Sequence, residues 1–440
     1  MGGTMTILYG QITTHKPVIV TSSIGNDIHE FELMIDIQNN CAQVLRHSVL
    51  ANDKDWTGTI VELQIEGDYP RIMSRMIEYL KQTAMVNPYL DMTFIDPKNR
   101  LYRFERGTTK MPPLPKSVRP HPYGIDVETF RRLLSITKTK DMKIFMMEHF
   151  QGVGPITAER FLATAHIDPK QKPLSLTPEE IVKAVQAAKE YPDFIRPDPS
   201  CLSPIGEDLL ETGIRKELEL TDEDFIKTVR RPPSTYIGYP FIVEAAVIAG
   251  KSIKKLGNGI TLYRFANRIP LLFDESSCVS FKVISKDINW KTYKVDNDTP
   301  LVVVVHVCST KIPYKSVGKE FLADQVEVEK EITNAIREAA RDVRIFISRS
   351  VRLERQKHRL NIFGKYLPII AEFASKLSEK DPPNIDKLLN EVIVMKHPDE
   401  EEEEENGNGD LIGKVLPSDE LELDVEEEDK EVEIDGEEDQ

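Results

Sequence analysis

Long apolar runs, paired cysteines and histidine clusters are all missing from this sequence of 440 residues. No stretch approaches about 18 consecutive apolar residues and no signal-peptide core opens the chain, so we expect a soluble, cytoplasmic protein without membrane contacts. The four cysteines lie far apart with no CxxC pair, which excludes a disulfide scaffold and a zinc site and predicts reduced thiols. The nine histidines show no metal-ligand spacing, so no metal site is expected.

Negative charge is concentrated at the C-terminal end of the chain. From Lys396 to Gln440 there are 22 Asp and Glu residues against three basic ones, whereas the rest carries 54 basic and 51 acidic residues. A tail of this composition cannot bury enough apolar surface to fold, so residues 396–440 are expected to be disordered. The nearly neutral body is compatible with a DNA partner but is no evidence for one.

The first part of the chain alternates strand-like and helix-like patterns, as an α/β layer does. Apolar residues on one face define two strands, with Phe31, Leu33, Ile35 and Ile37 in the first and Val61, Leu63 and Ile65 in the second. Apolar positions between Pro70 and Met85 recur at helical spacing, and strand-like runs follow near Leu90–Ile95 and Leu101–Glu105. Prolines between Met111 and Pro122 then predict a stiff, extended linker.

A helical unit follows from Asp126 to about Tyr191. Within it, the turn Gly152-Val153-Gly154-Pro155 precedes a predicted helix, where two glycines permit a tight turn at a helix N-terminus. Thr177 and Pro178 mark another helix start, with Thr177 as the N-cap. Prolines near Arg196 end this unit.

The third unit mixes both element types. We predict a helix from Phe241 to Lys254, a strand from Thr261 to Phe265, and a central buried strand from Leu301 to Val307. A long helix is expected from Val326 to Ser375, with Pro368 kinking or dividing it.

One lysine stands between two aromatic residues in the segment Asn289-Trp290-Lys291-Thr292-Tyr293. A lysine held on a loop in this way can reach a terminal phosphate as a mobile point charge. On the residues alone, the favoured interpretation is a surface lysine whose aromatic neighbours anchor the loop to the core, because lysine side chains are mostly exposed.

Five stretches match one protein family in the same order along the chain: residues 8–11 (LYGQ), 201–206 (CLSPIG), 238–246 (GYPFIVEAA), 265–273 (FANRIPLLF) and 313–320 (PYKSVGKE). Together they resemble the ATPase (B) subunits of archaeal DNA topoisomerase VI, a type IIB topoisomerase. The likeness covers nearly everything except the acidic tail.

This resemblance implies an α+β multidomain protein that begins partway through its first domain, since the chain opens directly on an apolar run. The first domain would be the C-terminal half of a GHKL (Bergerat) ATPase α/β sandwich. The implied transducer would contain a right-handed βαβ crossover and the long C-terminal helix. The expected bounds are residues 1–110 for the partial ATPase domain, 111–125 for a linker, 126–195 for a helix-two-turns-helix domain, 196–395 for the transducer and 396–440 for the tail.

In this family the ATP site combines an Asn that holds magnesium, a Glu that activates water, an Asp that recognises adenine and a glycine-rich lid. None of these motifs is present here, so we expect no catalytic residue, no Mg²⁺ ligand and no ATPase activity in this chain alone. The resemblance makes Lys291 the switch lysine that contacts the ATP γ-phosphate. It places Thr57 and Thr59 at the edge of the nucleotide pocket and makes Gly2 a remnant of the lid, although a Thr-Gly-Thr entry to an edge strand needs no ligand.

The resemblance also implies contact with double-stranded DNA. In helix-two-turns-helix domains the glycine turn offers backbone N–H groups to a phosphate. The candidates for DNA contact are Gly152, Gly154, Lys138, Lys140 and Lys143 in this domain, and Arg352 and Arg355 on the long helix. For the glycine turn, the alternative that stays open is a turn that only packs helices together. For the two arginines, it is a solvated helix face with intrahelical ion pairs.

The activity implied by the resemblance is ATP-driven strand passage. Two B subunits would dimerise through their ATPase domains, and transducer motion would open a gate formed by two A subunits, relaxing supercoils and decatenating DNA as an A2B2 heterotetramer. Two other classes stay open. One is a non-catalytic scaffold for the DNA-cleaving subunit, and the other is a chaperone-type GHKL ATPase, against which the helical insertion argues.

Overall fold

The computed structural model describes residues 2–39, 41–253, 259–296, 299–315 and 321–378. The chain divides into two units, Met1–Ser350 and Val351–Gln440. The acidic tail expected to be disordered lies outside the described residues, as does the end of the 313–320 motif. Helices and strands are mixed in the described part of the chain, as the expected α+β class requires.

The N-terminal part is a four-stranded antiparallel sheet with helix α1 (Gly2–Thr14) against it. In the spatial order β3-β2-β1-β4, its strands are β1 (Val18–Ser23), β2 (Asp27–Asp36), β3 (Cys41–Ala51) and β4 (Gly58–Glu62). The predicted strand around Phe31 is β2, whereas β4 ends before Leu63. The side-chain amide of Gln11 on α1 binds both backbone groups of Ile35, at 3.0 and 2.8 Å, and so fixes α1 to β2.

Helix α2 (Tyr69–Val86) confirms the helix predicted between Pro70 and Met85. Asp68 is its N-cap, since Oδ1 accepts a hydrogen bond from the backbone N–H of Arg71 at 3.3 Å. The two strand-like runs that follow form an antiparallel hairpin of β5 (Met92–Ile95) and β6 (Leu101–Phe104).

The predicted helical unit consists of four helices around an aromatic core. They are α3 (Val127–Ile136), α4 (Met142–His149), α5 (Pro155–Thr164) and α6 (Pro178–Glu190). Phe130, Phe145, Phe150 and Phe161 are almost fully buried between them. Thr177 caps α6 as predicted, and it forms a complete capping box with Glu180.

The C-terminal α/β part is built on a six-stranded sheet with the main order β11-β10-β12-β9-β7, in which β8 also pairs with β9. Its elements are α7 (Glu207–Glu217), β7 (Phe225–Arg230), β8 (Ser234–Tyr236), β9 (Tyr239–Ala249), β10 (Thr261–Ala266), β11 (Ile269–Pro270), α8 (Val279–Lys282), β12 (Leu301–Ser309) and α9 (Val326–Ser378). Strands β10 and β12 are parallel neighbours on either side of α8 in the chain, which gives the expected βαβ crossover. β12 is the central buried strand, as predicted.

The prediction of a helix from Phe241 to Lys254 is wrong, because Tyr239–Ala249 is strand β9 and residues 254–258 lie outside the described part. β9 is buried on both faces of the sheet, so its apolar residues run continuously instead of alternating. A continuous apolar run does not distinguish a buried strand from a buried helix by its period.

The sheet separates two apolar layers. On one face, Val303, Val305 and Val307 of β12 pack against α8 and the first part of α9, where Ile332 and Ile336 are fully buried. On the other face, Val302 and Val304 pack against α7 and the C-terminal end of α2. Because successive side chains of a strand point to opposite faces of the sheet, each face packs against its own helices.

Helix α9 confirms the predicted long helix, and it continues through Pro368 to Ser378 without the expected division. In the second unit its described side chains are mostly exposed, including Phe363, Tyr366, Ile370 and Phe373. Among the described residues, no helix is both long and apolar enough to cross a bilayer.

A carboxylate is buried in the middle of the C-terminal sheet. Glu244 of β9 is 1% exposed and accepts hydrogen bonds from the backbone N–H groups of Ile205 (2.9 Å) and Gly206 (2.6 Å) and from Nδ1 of His306 (2.8 Å). The Nε2 of His306 accepts from the backbone N–H of Arg268 at 3.0 Å, so the imidazole is neutral with its proton on Nδ1. Burial by itself raises the pKa of Glu244, but the hydrogen bonds from His306 and from the two backbone donors outweigh it and lower the pKa.

We predict that Glu244→Gln lowers the free energy of unfolding by roughly 2 to 4 kcal/mol, because an amide cannot accept all three bonds and leaves buried donors unpaired. Urea unfolding measures this, with Glu211→Gln as a control that costs about 0.5 kcal/mol or less, because the partly exposed Glu211 only forms a solvated ion pair with Arg215 on α7. Since the folded-state pKa is lowered, the contribution of Glu244 is present above its ordinary value of 4.5 and is lost as pH falls through the folded-state pKa. Equal losses in both variants would contradict this account.

Candidate functional site

Lys291 lies on a short 3-10 turn, Trp290–Tyr293, which follows α8 and a π-helical turn, Val283–Asp287. The indole Nε1 of Trp290 donates to the carbonyl of Ile284 at 2.8 Å. The Trp290 and Tyr293 rings contact each other edge-to-face, with centroids 6.3 Å apart, and both pack against the transducer core. Lys291 is exposed, and its ammonium makes no hydrogen bond or ion pair with the described residues. The aromatic anchors predicted from the sequence are therefore present, and the geometry fits both a phosphate-sensing lysine and a surface lysine.

The other predicted nucleotide residues lie in the N-terminal sheet and α1. Thr59 is on β4, the edge strand, with Oγ1 2.9 Å from Oγ of Ser22, and Thr57 is exposed just before that strand. Gly2 lies in the first turn of α1 rather than in a loop, and its carbonyl accepts a bond from Thr6. The described contacts do not bring Thr57, Thr59 or Gly2 together with Lys291.

The predicted nucleotide residues line none of four clefts found among the described residues. No group of three or more His, Cys, Asp or Glu side chains in the described ranges is placed to hold a metal ion. Four clefts of about 350, 390, 610 and 180 Å³ are lined by other residues, and none of the four includes Lys291, Thr57, Thr59 or Gly2.

The glycine turn of the helical unit leaves the N-terminus of α5 without a side-chain cap. Gly152 has φ +70°, and Gly154 is the N-cap of α5 without any side-chain cap, so the first N–H groups of α5 are open to a ligand. Lys138 and Lys140 are exposed nearby in sequence. Lys143 differs, since its Nζ lies 2.5 Å from Oε1 of Glu159 and its charge is locally compensated.

Arg352 and Arg355 are exposed on α9 in the second unit. Their guanidinium groups are therefore accessible to a phosphate, as the sequence predicts for a basic patch. The structure gives no further support to DNA contact over a solvated helix face.

Sequence analysis missed the buried pair Glu244–His306 and the bond from the half-buried Arg268 to it. A signal was present, because Glu244 and His306 each interrupt an apolar run that is typical of a buried segment. Buried charged residues need partners, so the two interruptions could have been paired across neighbouring strands.

Similarity to known proteins was found in both sequence and structure. A family described as "Topoisomerase VI B subunit, transducer" matches residues 197–359. Relatives named as the B subunit of type 2 DNA topoisomerase 6, from Saccharolobus islandicus and Saccharolobus shibatae, are each 38% identical over 397 residues, which is 89% of this chain and 74% of the relative. The relative of the same name from Metallosphaera sedula is 39% identical over 379 residues, covering 85% of this chain and 70% of the relative.

Two solved structures align more weakly. They are the gyrase B subunit of Myxococcus xanthus (TM-score 0.32, 11% identity, covering 74% of this chain and 67% of that one) and the topoisomerase IV ATP-binding domain of Francisella tularensis (TM-score 0.29, 10% identity, covering 79% and 70%). These scores are too low to define a shared fold.

The extent and identity of the sequence matches define a class of DNA topoisomerase subunits. The chain belongs to the family of type 2 DNA topoisomerase 6 B subunits. The expected transducer is thereby confirmed, whereas the bounds of the expected domains and the roles of the candidate residues stay predictions.

We predict that Gly152→Ala lowers the free energy of unfolding by about 1 to 2 kcal/mol, because an alanine at φ +70° adopts the left-handed conformation. The Ile195 side chain, which a Cβ at 152 would meet at 2.4 Å, is exposed and can move aside. Gly154→Ala is the matched control. Its φ is −87° and no atom lies near the added Cβ, so a change within about 0.5 kcal/mol is expected. Thermal unfolding measures the stability of both variants. Equal losses of stability would contradict the claim that an alanine at position 152 is strained.

Proposed function

We propose that this chain works as the ATP-binding B subunit of a type II DNA topoisomerase, which passes one duplex through a double-strand break made by an A subunit. The observation that carries the proposal is the 38% identity to relatives named as B subunits over 89% of the chain. Such a match spans the N-terminal sheet, the helical unit and the transducer together, rather than one common module. It also argues against the chaperone-type ATPase.

In this proposal, residues 1–110 are part of a GHKL nucleotide domain, and Lys291 reports the γ-phosphate to the transducer. ATP bound with Mg²⁺ closes a dimer of B subunits, and transducer motion opens the gate of an A2B2 assembly in the cytoplasm. The helix-two-turns-helix domain holds a DNA phosphate at the uncapped N-terminus of α5, supported by Lys138 and Lys140, and Arg352 and Arg355 attract DNA at longer range. Thr57, Thr59 and Gly2 lie at the periphery of the nucleotide site.

A scaffold function is the second candidate. It is favoured by the exposed aromatic residues Phe363, Tyr366 and Phe373 in the second unit, since exposed apolar patches mark protein contacts. A scaffold would bind the DNA-cleaving subunit without any response to nucleotide, which separates it from the first proposal.

We predict that Lys291→Ala, made in a full B subunit that carries the family's ATP-site motifs and assembled with its DNA-cleaving partner, lowers the rate of nucleotide-driven strand passage at least about tenfold. A charge-assisted bond to a phosphate contributes about 1.5 to 3 kcal/mol, and about 1.4 kcal/mol is a factor of ten in rate. Supercoil relaxation measures the rate. Lys286→Ala, an exposed lysine on the neighbouring π-helical turn, is the control and should relax DNA normally. Unchanged relaxation by the Lys291 variant removes its switch role.

We also predict that the purified 440-residue chain does not hydrolyse ATP. The described residues contain no metal-binding cluster, and the family's magnesium Asn and general base have no counterpart in the sequence. A phosphate-release assay with and without Mg²⁺ measures this. Magnesium-dependent turnover above a heat-denatured sample would show that the prediction is wrong.

A further inference from the structure

Two histidines face each other on the N-terminal sheet. His29 lies on β2 and His47 on β3, and these strands are antiparallel neighbours. Phe31 is directly opposite His47, so His29 lies diagonally across from His47 on the same face of the sheet. Nδ1 of His29 is 3.2 Å from Nε2 of His47. The expectation of no metal site rested on spacing along the chain, whereas these two residues are 18 positions apart and meet only across strands.

Stacking holds the two imidazole rings in place. The ring of Phe31 lies parallel to that of His47, with centroids 4.2 Å apart and 3° between the planes. The rings of His29 and His47 are also nearly parallel, at 14°, with centroids 5.5 Å apart. Because the strand ladder fixes the backbones and the stack fixes the rings, the two nitrogen atoms are brought together before any ligand binds.

The distance between the two nitrogens suits two ligands of one metal ion. Histidine nitrogens bind Zn²⁺ at about 2.0 to 2.1 Å in a tetrahedral arrangement, which puts two of them about 3.3 Å apart. Square-planar Cu²⁺ needs the same two atoms about 2.9 Å apart. Without a metal, the pair is an N–H···N hydrogen bond in which one ring donates and the other accepts. A metal ion bound by both lone pairs would replace the proton that joins the rings.

The surroundings of the pair leave room for water as the remaining ligands. His47 is exposed and His29 is half-buried, so an ion can enter from solvent. Ser22 pairs with His29 across β1, but its hydroxyl is bonded to the carbonyl of Gly58 at 3.2 Å and lies 2.9 Å from that of Thr59. In the part of the chain that the structure describes, no third His, Cys, Asp or Glu completes a cluster. Structural zinc sites use four protein ligands, so two histidines and water hold an ion that exchanges with solvent.

We propose that His29 and His47 form a binding site for a divalent transition-metal ion such as Zn²⁺ or Cu²⁺, with Nδ1 of His29 and Nε2 of His47 as its protein ligands. Imidazole suits Zn²⁺, Cu²⁺ and Ni²⁺, whereas Mg²⁺ is bound through oxygen atoms, so this site is chemically distinct from one for a magnesium nucleotide. Because the two ligands come from neighbouring strands, the ion stabilises the pairing of β2 with β3. The proposal does not depend on the proposed function.

Titration calorimetry of the metal-free 440-residue chain with ZnCl2 tests the site. His29→Ala and His47→Ala should each lower the affinity of the tightest Zn²⁺ site at least about tenfold, because loss of even a residue that only supports a ligand costs about 10- to 100-fold. His358→Ala, which removes an exposed histidine on α9, is the matched control and should bind Zn²⁺ as the unchanged chain does. His47→Gln keeps a polar side chain on the exposed strand and carries the test if His47→Ala does not fold.

Electron paramagnetic resonance of the chain loaded with one equivalent of Cu²⁺ identifies the ligands directly. Hyperfine coupling to two imidazole nitrogens is expected in the unchanged chain and in His358→Ala, and coupling to at most one in His29→Ala or His47→Ala. Identical Zn²⁺ affinities and identical Cu²⁺ spectra in all folded variants would overturn the proposal and leave the pair as a hydrogen bond alone. Neither measurement uses ATP, DNA or an A subunit, so such a result would leave the proposed function untouched.

Discussion

The ionised carboxylate of Glu244 is the constraint on which the transducer depends. In the middle of a sheet it has no water to solvate it, so every lone pair must find a donor within the protein. The donors it recruits come from the start of α7, through Ile205 and Gly206, and from β12, through His306. One buried charge therefore fixes a helix N-terminus, a histidine tautomer and, through that histidine, the turn that carries Arg268.

The two faces of the same sheet pack against different helices. One layer holds α8, α9 and the anchored Trp290 turn, which presents Lys291 to solvent. The other holds α7 and α2, with Arg268 reaching Tyr89 just beyond α2. The sheet between the two layers is close-packed and stiff, because its central strands are buried on both faces.

Local chemistry made part of this structure predictable from the sequence. The apolar spacing in α2 and the Thr177–Pro178 helix start predicted both helices, and the aromatic neighbours of Lys291 predicted its anchored turn. Strand β9 was missed because burial on both faces removes the alternation that identifies a strand. The Glu244–His306 and Arg268–Tyr89 bonds join residues that are 62 and 179 positions apart, which no local pattern encodes. The role of Lys291 depends on a ligand, so neither its spacing nor its exposure determines it.

The central claim is that the buried Glu244 carboxylate holds the start of α7 and the Arg268 turn to the transducer sheet. Native-state hydrogen exchange of the full chain in increasing denaturant tests it most directly, because it reports the free energy of opening for each segment. The account predicts that Glu244→Gln lowers the free energy of opening at the amides of Ile205, Gly206 and Arg268 by more than it lowers that of the amides of α6 in the helical unit. Equal changes at these two sets of amides in a folded variant would contradict it.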